Sequence, residues 1–405
     1  MKPAWIIAVI ALAWAGGSAA SEVKVSRYGV TKDGVVVRAY TLVNDAGASA
    51  VILDHGARIA AINVPDRDGK LANTVMAFKD MAGWESLDHA NAIIGRVANR
   101  VTRGFTLDGV RYDLKAPPNG VVMHGAPDVW TARMWTVDPV RRSDGAKITL
   151  HLDSPAMDQG YPGGVKVTAT YRWTNDNALR LDMEAVTDAP TPVNLTNHVY
   201  FNLTGNSTTP VWDHEMQVLT DRKSVTTPQT GPTGEIMKIA GTPYDFQRPT
   251  PIKERLTMAL GPEYANPQTS PPTPPGMLRR FDESYVLADG PYRLDRVAAR
   301  LHDKVSGRIM ELRTTEPTVH VFTPNVVPFS PTGGPAPPGV FLTDVGKPFT
   351  RTPAIALETQ HLPDSVNHPE FPSTILRPGE VKRTTTVFQF LTDKSPPASS
   401  NQGRN

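Results

Sequence analysis

Pro192-Val193-Asn194-Leu195-Thr196-Asn197-His198-Val199-Tyr200-Phe201-Asn202-Leu203-Thr204-Gly205 decides how this chain is read. Taken with period two, Val193, Leu195, Val199, Phe201 and Leu203 fall on one face, with Asn197 the one polar member. Asn194, Thr196, His198, Tyr200 and Asn202 fall on the other, and each carries a hydrogen-bonding group. Such alternation predicts a half-buried β-strand. The polar face holds no Lys, Arg, Asp or Glu, which a merely solvated face usually collects. Amides, hydroxyls and one imidazole in a row predict the floor of a pocket for a polar, neutral ligand.

Outward from this stretch the same period recurs. Val35–Leu42, Ala50–Leu53, Trp135–Val137, Lys147–Leu152, Val165–Tyr171 and Ala178–Val186 read as strands, the last two joined at Asn175-Asp176-Asn177. Gly104–Tyr112 reads as a hairpin around Asp108-Gly109. No long segment has helical period, and Pro251–Leu260 is the place for one short helix. Proline and glycine sit mostly between strands, as a turn-rich all-β chain requires. Two Pro-rich segments, 261–277 and 326–353, read as long surface loops flanking the strands that carry Asp282 and His320. Residues 393–405 form a polar tail expected to be disordered.

The N-terminus has the layout of a secretory signal peptide: Lys2, then a short apolar run, then small residues ending at Ser18-Ala19-Ala20. Cleavage after Ala20 predicts export to the periplasm or medium, with residues 21–392 as one domain and no membrane attachment once the signal is removed. The 405-residue chain has a formal net charge of +2 and no Lys/Arg run, so nothing points to nucleic acid. Cysteine is absent, so an exported fold of this length rests on its core, not on disulfides.

His198 alone is weak grounds for catalysis, because a lone histidine is more often structural. Its weight depends on its company. In Ala354–Gln360, Ile355 and Leu357 take one face and Ala354, Ala356, Glu358 and Gln360 the other. A carboxylate among small apolar residues is desolvated, which raises its pKa and makes it a stronger base. The competing reading is a surface glutamate on an edge strand. His124 follows Val121-Val122-Met123, His320 lies within Val319–Thr323, and Asp282 stands at the start of another strand. Imidazoles such as His124, His198 and His320 suit zinc, but no HxH or HExxH spacing occurs and no metal is expected. There is no Gly-rich loop opening a helix and no Gly-x-Ser-x-Gly, so nucleotide cradling and esterase chemistry are unsupported. Asn-x-Thr patterns at Asn194, Asn202 and Asn206 are read as chance, since the first two lie in the pocket strand.

Gly95-Arg96-Val97-Ala98-Asn99-Arg100-Val101, Met123-His124-Gly125, Gly160-Tyr161-Pro162-Gly163, Asn194–Leu203, Asp245-Phe246, Leu357-Glu358-Thr359-Gln360, Pro363-Asp364-Ser365-Val366-Asn367 and Phe371–Glu380 occur in that order. Together these motifs resemble the aldose 1-epimerase (galactose mutarotase) family. The resemblance runs from about Gly29 to Leu391. It implies a large, mostly antiparallel β-sandwich, the supersandwich, and interconversion of the α and β anomers of free aldohexoses such as galactose and glucose, without cofactor or metal. It implies Glu358 as general base and His198 as general acid. Asn99, Arg100, His124, Asp282 and His320 match substrate-binding positions. The partner implied is a small sugar, and the chain is expected to be a monomer or weak dimer. Alternatives are a non-catalytic carbohydrate-binding protein or another carbohydrate-active enzyme on the same fold. Departures from the pattern are Ala126 for a second glycine, Glu283 for a histidine, His320 for a glutamine, and a longer insertion after Asn325; they bear on substrate preference.

Overall fold

The structure is a computed structural model and describes residues 21–394, except 88, 118–119, 128, 142–144, 228–230, 262–280, 325–341 and 351. The predicted signal segment, most of the two Pro-rich segments and the tail from 395 therefore lie outside the described residues.

Alternation sets the layers. In the strand Val165–Trp173, residues Val165, Val167, Ala169, Tyr171 and Trp173 are buried in the core, while Lys166 and Arg172 are exposed. This strand pairs with Lys147–Ser154 on one side and Ala178–Thr187 on the other. They belong to a nine-stranded antiparallel sheet that continues through Lys382–Thr392, Arg308–Thr314, Ala299–His302 and Glu215–Val218. A second sheet of five strands is a meander from Glu22 to Asn73. A third, of six strands, runs in the order Tyr200–Phe201, Ile355–Gln360, Thr318–Phe322, Asp282–Val286, Arg222–Thr226, Pro232–Lys238. One core joins all three: Leu42, Ile52 and Ile62 from the meander, Leu150, Tyr171, Leu181 and Phe388 from the large sheet, and Tyr285, Val319, Val321 and Leu357 from the six-stranded sheet. The expected mostly antiparallel β architecture is the one observed. The hairpin at Asp108-Gly109 is also present; both turn residues have positive φ, 48° and 82°, as a tight two-residue turn requires.

The expected helix forms at Ile252–Leu260. A second, Met81–Ser86, was not predicted, because six residues are too few to display a helical period. Asp80 caps it by accepting the Gly83 N–H at 3.2 Å, and Met81 and Trp84 cover the outer face of the meander.

The stretch 192–205 is not the single half-buried strand that its alternation predicts. It is divided into Thr191–Pro192, Thr196–Asn197 and Tyr200–Phe201, which pair with Ile375–Leu376, Ile93–Ile94 and Ile355–Gln360 respectively. Both faces are buried. Asn194 and Asn202, two of the five on the polar face, satisfy neighbouring backbone instead of lining a pocket. Asn194 accepts the His361 N–H at 3.0 Å and donates to its carbonyl at 3.3 Å. Asn202 donates to the carbonyls of Asn206, Thr209 and Pro353. Alternation registers polarity, and a buried amide that serves backbone has the same pattern as one that faces a ligand. The second Pro-rich segment is likewise more than surface covering over 342–350: Thr343 bridges to Phe78, and Phe349 packs on Phe78.

Candidate active site

The outer face of the six-stranded sheet carries the site. Ile355 and Leu357 point into the core, so Ala356 and Glu358 point the other way. Strand register then sets their neighbours. Ser284, His320 and Glu358 stand side by side across three strands, and Asp282, Phe322, Ala356 and Tyr200 form the adjoining row. His198 leads into this sheet two residues before Tyr200, and its Nε2 lies 3.3 Å from Glu358 Oε1.

The opposing wall comes from two short paired strands, Arg100–Thr102 and Val121–Met123. Asn99 and His124 sit where these strands begin and end, both with left-handed backbone, φ 62° and 53°. They are tied to each other: the His124 N–H donates to Asn99 O at 2.8 Å, and the Asn99 N–H donates to His124 Nδ1 at 3.2 Å. Arg100 reaches across to the sheet. Its Nη2 meets both carboxylate oxygens of Asp282 at 3.0 and 2.9 Å, and its Nη1 donates to Asn99 Oδ1 at 2.7 Å. Asp282 also meets His320 Nε2 at 3.1 Å, while His320 Nδ1 meets Ser284 Oγ at 2.8 Å.

His198, Glu358, Asn99, Arg100, His124, Asp282 and His320 are therefore brought together. His320 stands beside Glu358 in register, and its Nε2 meets Asp282. Glu283, which stands where the resemblance expects a histidine, lies within the strand and points to the opposite face. There it pairs with buried Lys223 at 2.8 Å, whose ammonium sits 4.4 Å from the Tyr244 ring centre. Arg96, quoted in the same motif as Arg100, is structural. Its guanidinium donates to the carbonyls of Pro155, Pro162 and Gly163, which fastens the Gly160–Gly163 turn.

Two aromatic neighbours were not singled out from sequence. Tyr200 stacks on His198, ring centres 4.8 Å apart and planes 19° from parallel. His89 lies 5.0 Å from His198 and 5.9 Å from His124, and its Nε2 meets Tyr200 OH at 3.1 Å. Tyr200 was legible as a polar-face member of the opening stretch; His89 follows a short helix in a turn, where no period marks it.

Burial governs the charges. It pushes the Glu358 carboxyl well above its usual range; the Asp282 charge adds to this and Arg100 works against it. Burial likewise pushes His198 well down, helped by the nearby imidazoles of His89, His124 and His320. Glu358 Oε2 is buried without a hydrogen-bond partner among the described residues, which marks it as an acceptor for something outside the fold's own bonding. Ligand atoms of His124, His198 and Glu358 lie within 4.8 Å of one another, close enough to hold a cation, but the donor chemistry does not suit one. His124 Nδ1 accepts the Asn99 N–H, so the neutral ring carries its proton on Nε2. Coordination through Nε2 would set an Nδ1 proton against that N–H, and coordination through Nδ1 would give the bond up.

With this geometry in view, similarity to known proteins is decisive. The family model for aldose 1-epimerase matches residues 38–389. The chain belongs to the aldose 1-epimerase family. Over 341 residues it is 32% identical to galactose mutarotase of Rattus norvegicus, covering 84% of this chain and 90% of the rat protein. Over 374 residues it is 30% identical to aldose 1-epimerase of Escherichia coli K12, covering 89% of this chain and 97% of that one. The fold matches solved members of the same family. The GalM/aldose epimerase homologue of C. elegans gives a TM-score of 0.72 at 23% identity, over 92% of this chain and 99% of the other. Galactose 1-epimerase from Lactobacillus acidophilus gives 0.71 at 21% identity, over 92% and 99%.

Proposed function

We propose that the protein is an aldose 1-epimerase that interconverts the α and β anomers of free aldohexoses by acid/base opening and closing of the ring. The observation that carries this reading is the buried His198–Glu358 contact of 3.3 Å beside the Arg100–Asp282 clamp, in a chain of this family. Glu358 takes the proton from the C1 hydroxyl while His198 gives one to the ring oxygen. The C1–O5 bond breaks and C1 becomes an aldehyde. Rotation about C1–C2 presents its other face, and ring closure returns both protons. Arg100, Asp282 and Asn99 hold sugar hydroxyls. His124, with its proton on Nε2, acts as a neutral donor.

The cycle needs one proton on the pair. With it on His198 the pair is Glu⁻/His⁺, the form that reacts; with it on Glu358 the pair is neutral. Ring opening converts the first into the second. Burial, which opposes both charges, therefore favours the open-chain stage of the cycle.

Polarimetry tests the reading. Fresh α-D-galactose or α-D-glucose should lose its excess rotation faster with the protein than in buffer, and a panel of aldoses ranks preference. Optical drift at the buffer rate for every sugar overturns it. We further propose that residues 1–20 direct export; N-terminal sequencing of protein from fractionated cells should begin at Ser21, and an intact Met1 in the mature protein would refute it.

A further inference from the structure

His198 is held by a segment outside its own strand. The Asn91 N–H donates to His198 O at 2.9 Å, and the His198 N–H donates to Ala92 O at 3.0 Å. The Tyr200 N–H donates to Asn91 Oδ1 at 2.9 Å, and His89 Nε2 meets Tyr200 OH at 3.1 Å. The segment is itself anchored. Asn91 Nδ2 donates to the carbonyls of Ile59 and Met76, and buried Arg58 donates to Ala90 O. Its effect is to set the Tyr200 ring nearly parallel to the His198 imidazole at 4.8 Å. Phe322 meets both rings edge-on, each at 6.2 Å and 80°.

We propose that Tyr200, held in place by His89, is a positioning residue for His198: its ring fixes the imidazole plane, and its π face supports the positive charge that His198 must carry to donate a proton. The proposal rests on the acid role given above to His198. The titratable groups facing His198 come from four elements. His89 lies in the turn after Met81–Ser86, His124 follows Val121–Met123, His320 belongs to Thr318–Phe322, and Glu358 to Ile355–Gln360. Arg100 and Asp282 lie beyond, acting on Glu358. Burial and the three imidazoles oppose a charge on His198, whereas Glu358 and the face of Tyr200 favour it. An aromatic face supports a desolvated cation appreciably, and the ring also blocks rotation of the imidazole out of line with the sugar.

The test uses the full chain with labelled histidine, the His198 signal being assigned from its loss in His198→Gln. Tyr200→Phe keeps the face but gives up the bond to His89, so the His198 titration midpoint and kcat should fall by less than in Tyr200→Leu. Tyr200→Leu removes the face; the midpoint should fall by about 0.5 pH unit or more, and kcat by about threefold or more with little change in KM. His89→Ala should move both in the same direction, and His89→Gln, which keeps a partner for the phenol, should restore them. The His89 arm is informative by sign, since removing a neighbouring imidazole without loosening Tyr200 would raise the midpoint. An unchanged midpoint in folded Tyr200→Leu, an equal fall in Tyr200→Phe, or a rise in His89→Ala overturns the proposal. The titration needs no turnover, so an inactive wild type would sink the epimerase reading separately.

Discussion

Glu358 and His198 have no second task in the fold. Neither contributes to a sheet ladder through its side chain, and both are buried, a costly arrangement for ionisable groups unless they serve each other or a ligand. Replacing the carboxylate removes the acceptor for the C1 proton and little else. Glu358→Gln is expected to lower kcat by about 10²-fold or more with a KM that changes far less, read by polarimetry. A variant within a few-fold of wild type would remove Glu358 from proton transfer. At this scale the sequence was informative wherever a chemical group stood in a periodic run or a recognisable motif, as with Glu358 among alanines and His198 on its alternating stretch. His320 stood out because its position suggested a glutamine; the register sets it beside Glu358, with its Nε2 on Asp282. His89 was missed because its neighbourhood depends on Asn91 and Arg58, whose hydrogen bonds no local pattern announces.

Among elements, the long strands were legible and the short ones were not. Val165–Trp173 and Ala178–Thr187 have one face in the core and one in water, so polarity reports direction. The pieces of 191–201 have protein on both sides, so polarity there reports only that some partner exists. Glycines discriminate the two kinds of local demand. At Gly109, φ is 82° and a Cβ would meet nothing within 4 Å, so Gly109→Ala should cost about 1 kcal/mol from backbone strain alone and leave activity intact. At Gly95 a Cβ would lie 2.3 Å from the buried Trp130 ring. Gly95→Ala should therefore cost about 1–3 kcal/mol or more from overpacking and also lower activity, because the displaced segment leads to Asn99 and Arg100. Urea unfolding midpoints measure both; equal losses would refute the distinction.

For the whole molecule, acidity is the variable that the fold is built to resist only down to a point. His214 is buried with its Nε2 accepting the Leu203 N–H at 3.0 Å, and burial pushes its pKa from 6.5 down to about 4. His55 is pushed down to about 4 as well, by burial first and then by Arg58. A histidine whose folded pKa is depressed takes up its proton on unfolding. The stability it contributes is complete above the unfolded pKa and is lost as pH falls from there toward the folded value. Each group should thus cost about 2 kcal/mol between neutrality and pH 5. The urea midpoint is expected to fall from pH 7 to pH 5, and less steeply in His214→Asn. A midpoint that is flat over that range would show that these rings are not held neutral.

The broken stretch around His198 has one more consequence. Its backbone N–H groups are handed to three other parts of the chain: Val193 to Thr374, Asn194 and His198 to Arg96 and Ala92 on either side of Ile93–Ile94, and Asn202 to Thr74. A strand in one ladder can fray from its end, but this one has no end from which to fray. Releasing any of these protons to deuterium demands that several sheets part at once, so exchange there should proceed at the rate of global unfolding. In hydrogen-exchange mass spectrometry, peptides spanning 193–202 should rank with the slowest in the protein, alongside Val165–Trp173. If so, the proton donor can loosen only when the whole protein does, and reagents that soften the surface should leave the timing of ring opening untouched until the fold itself gives way.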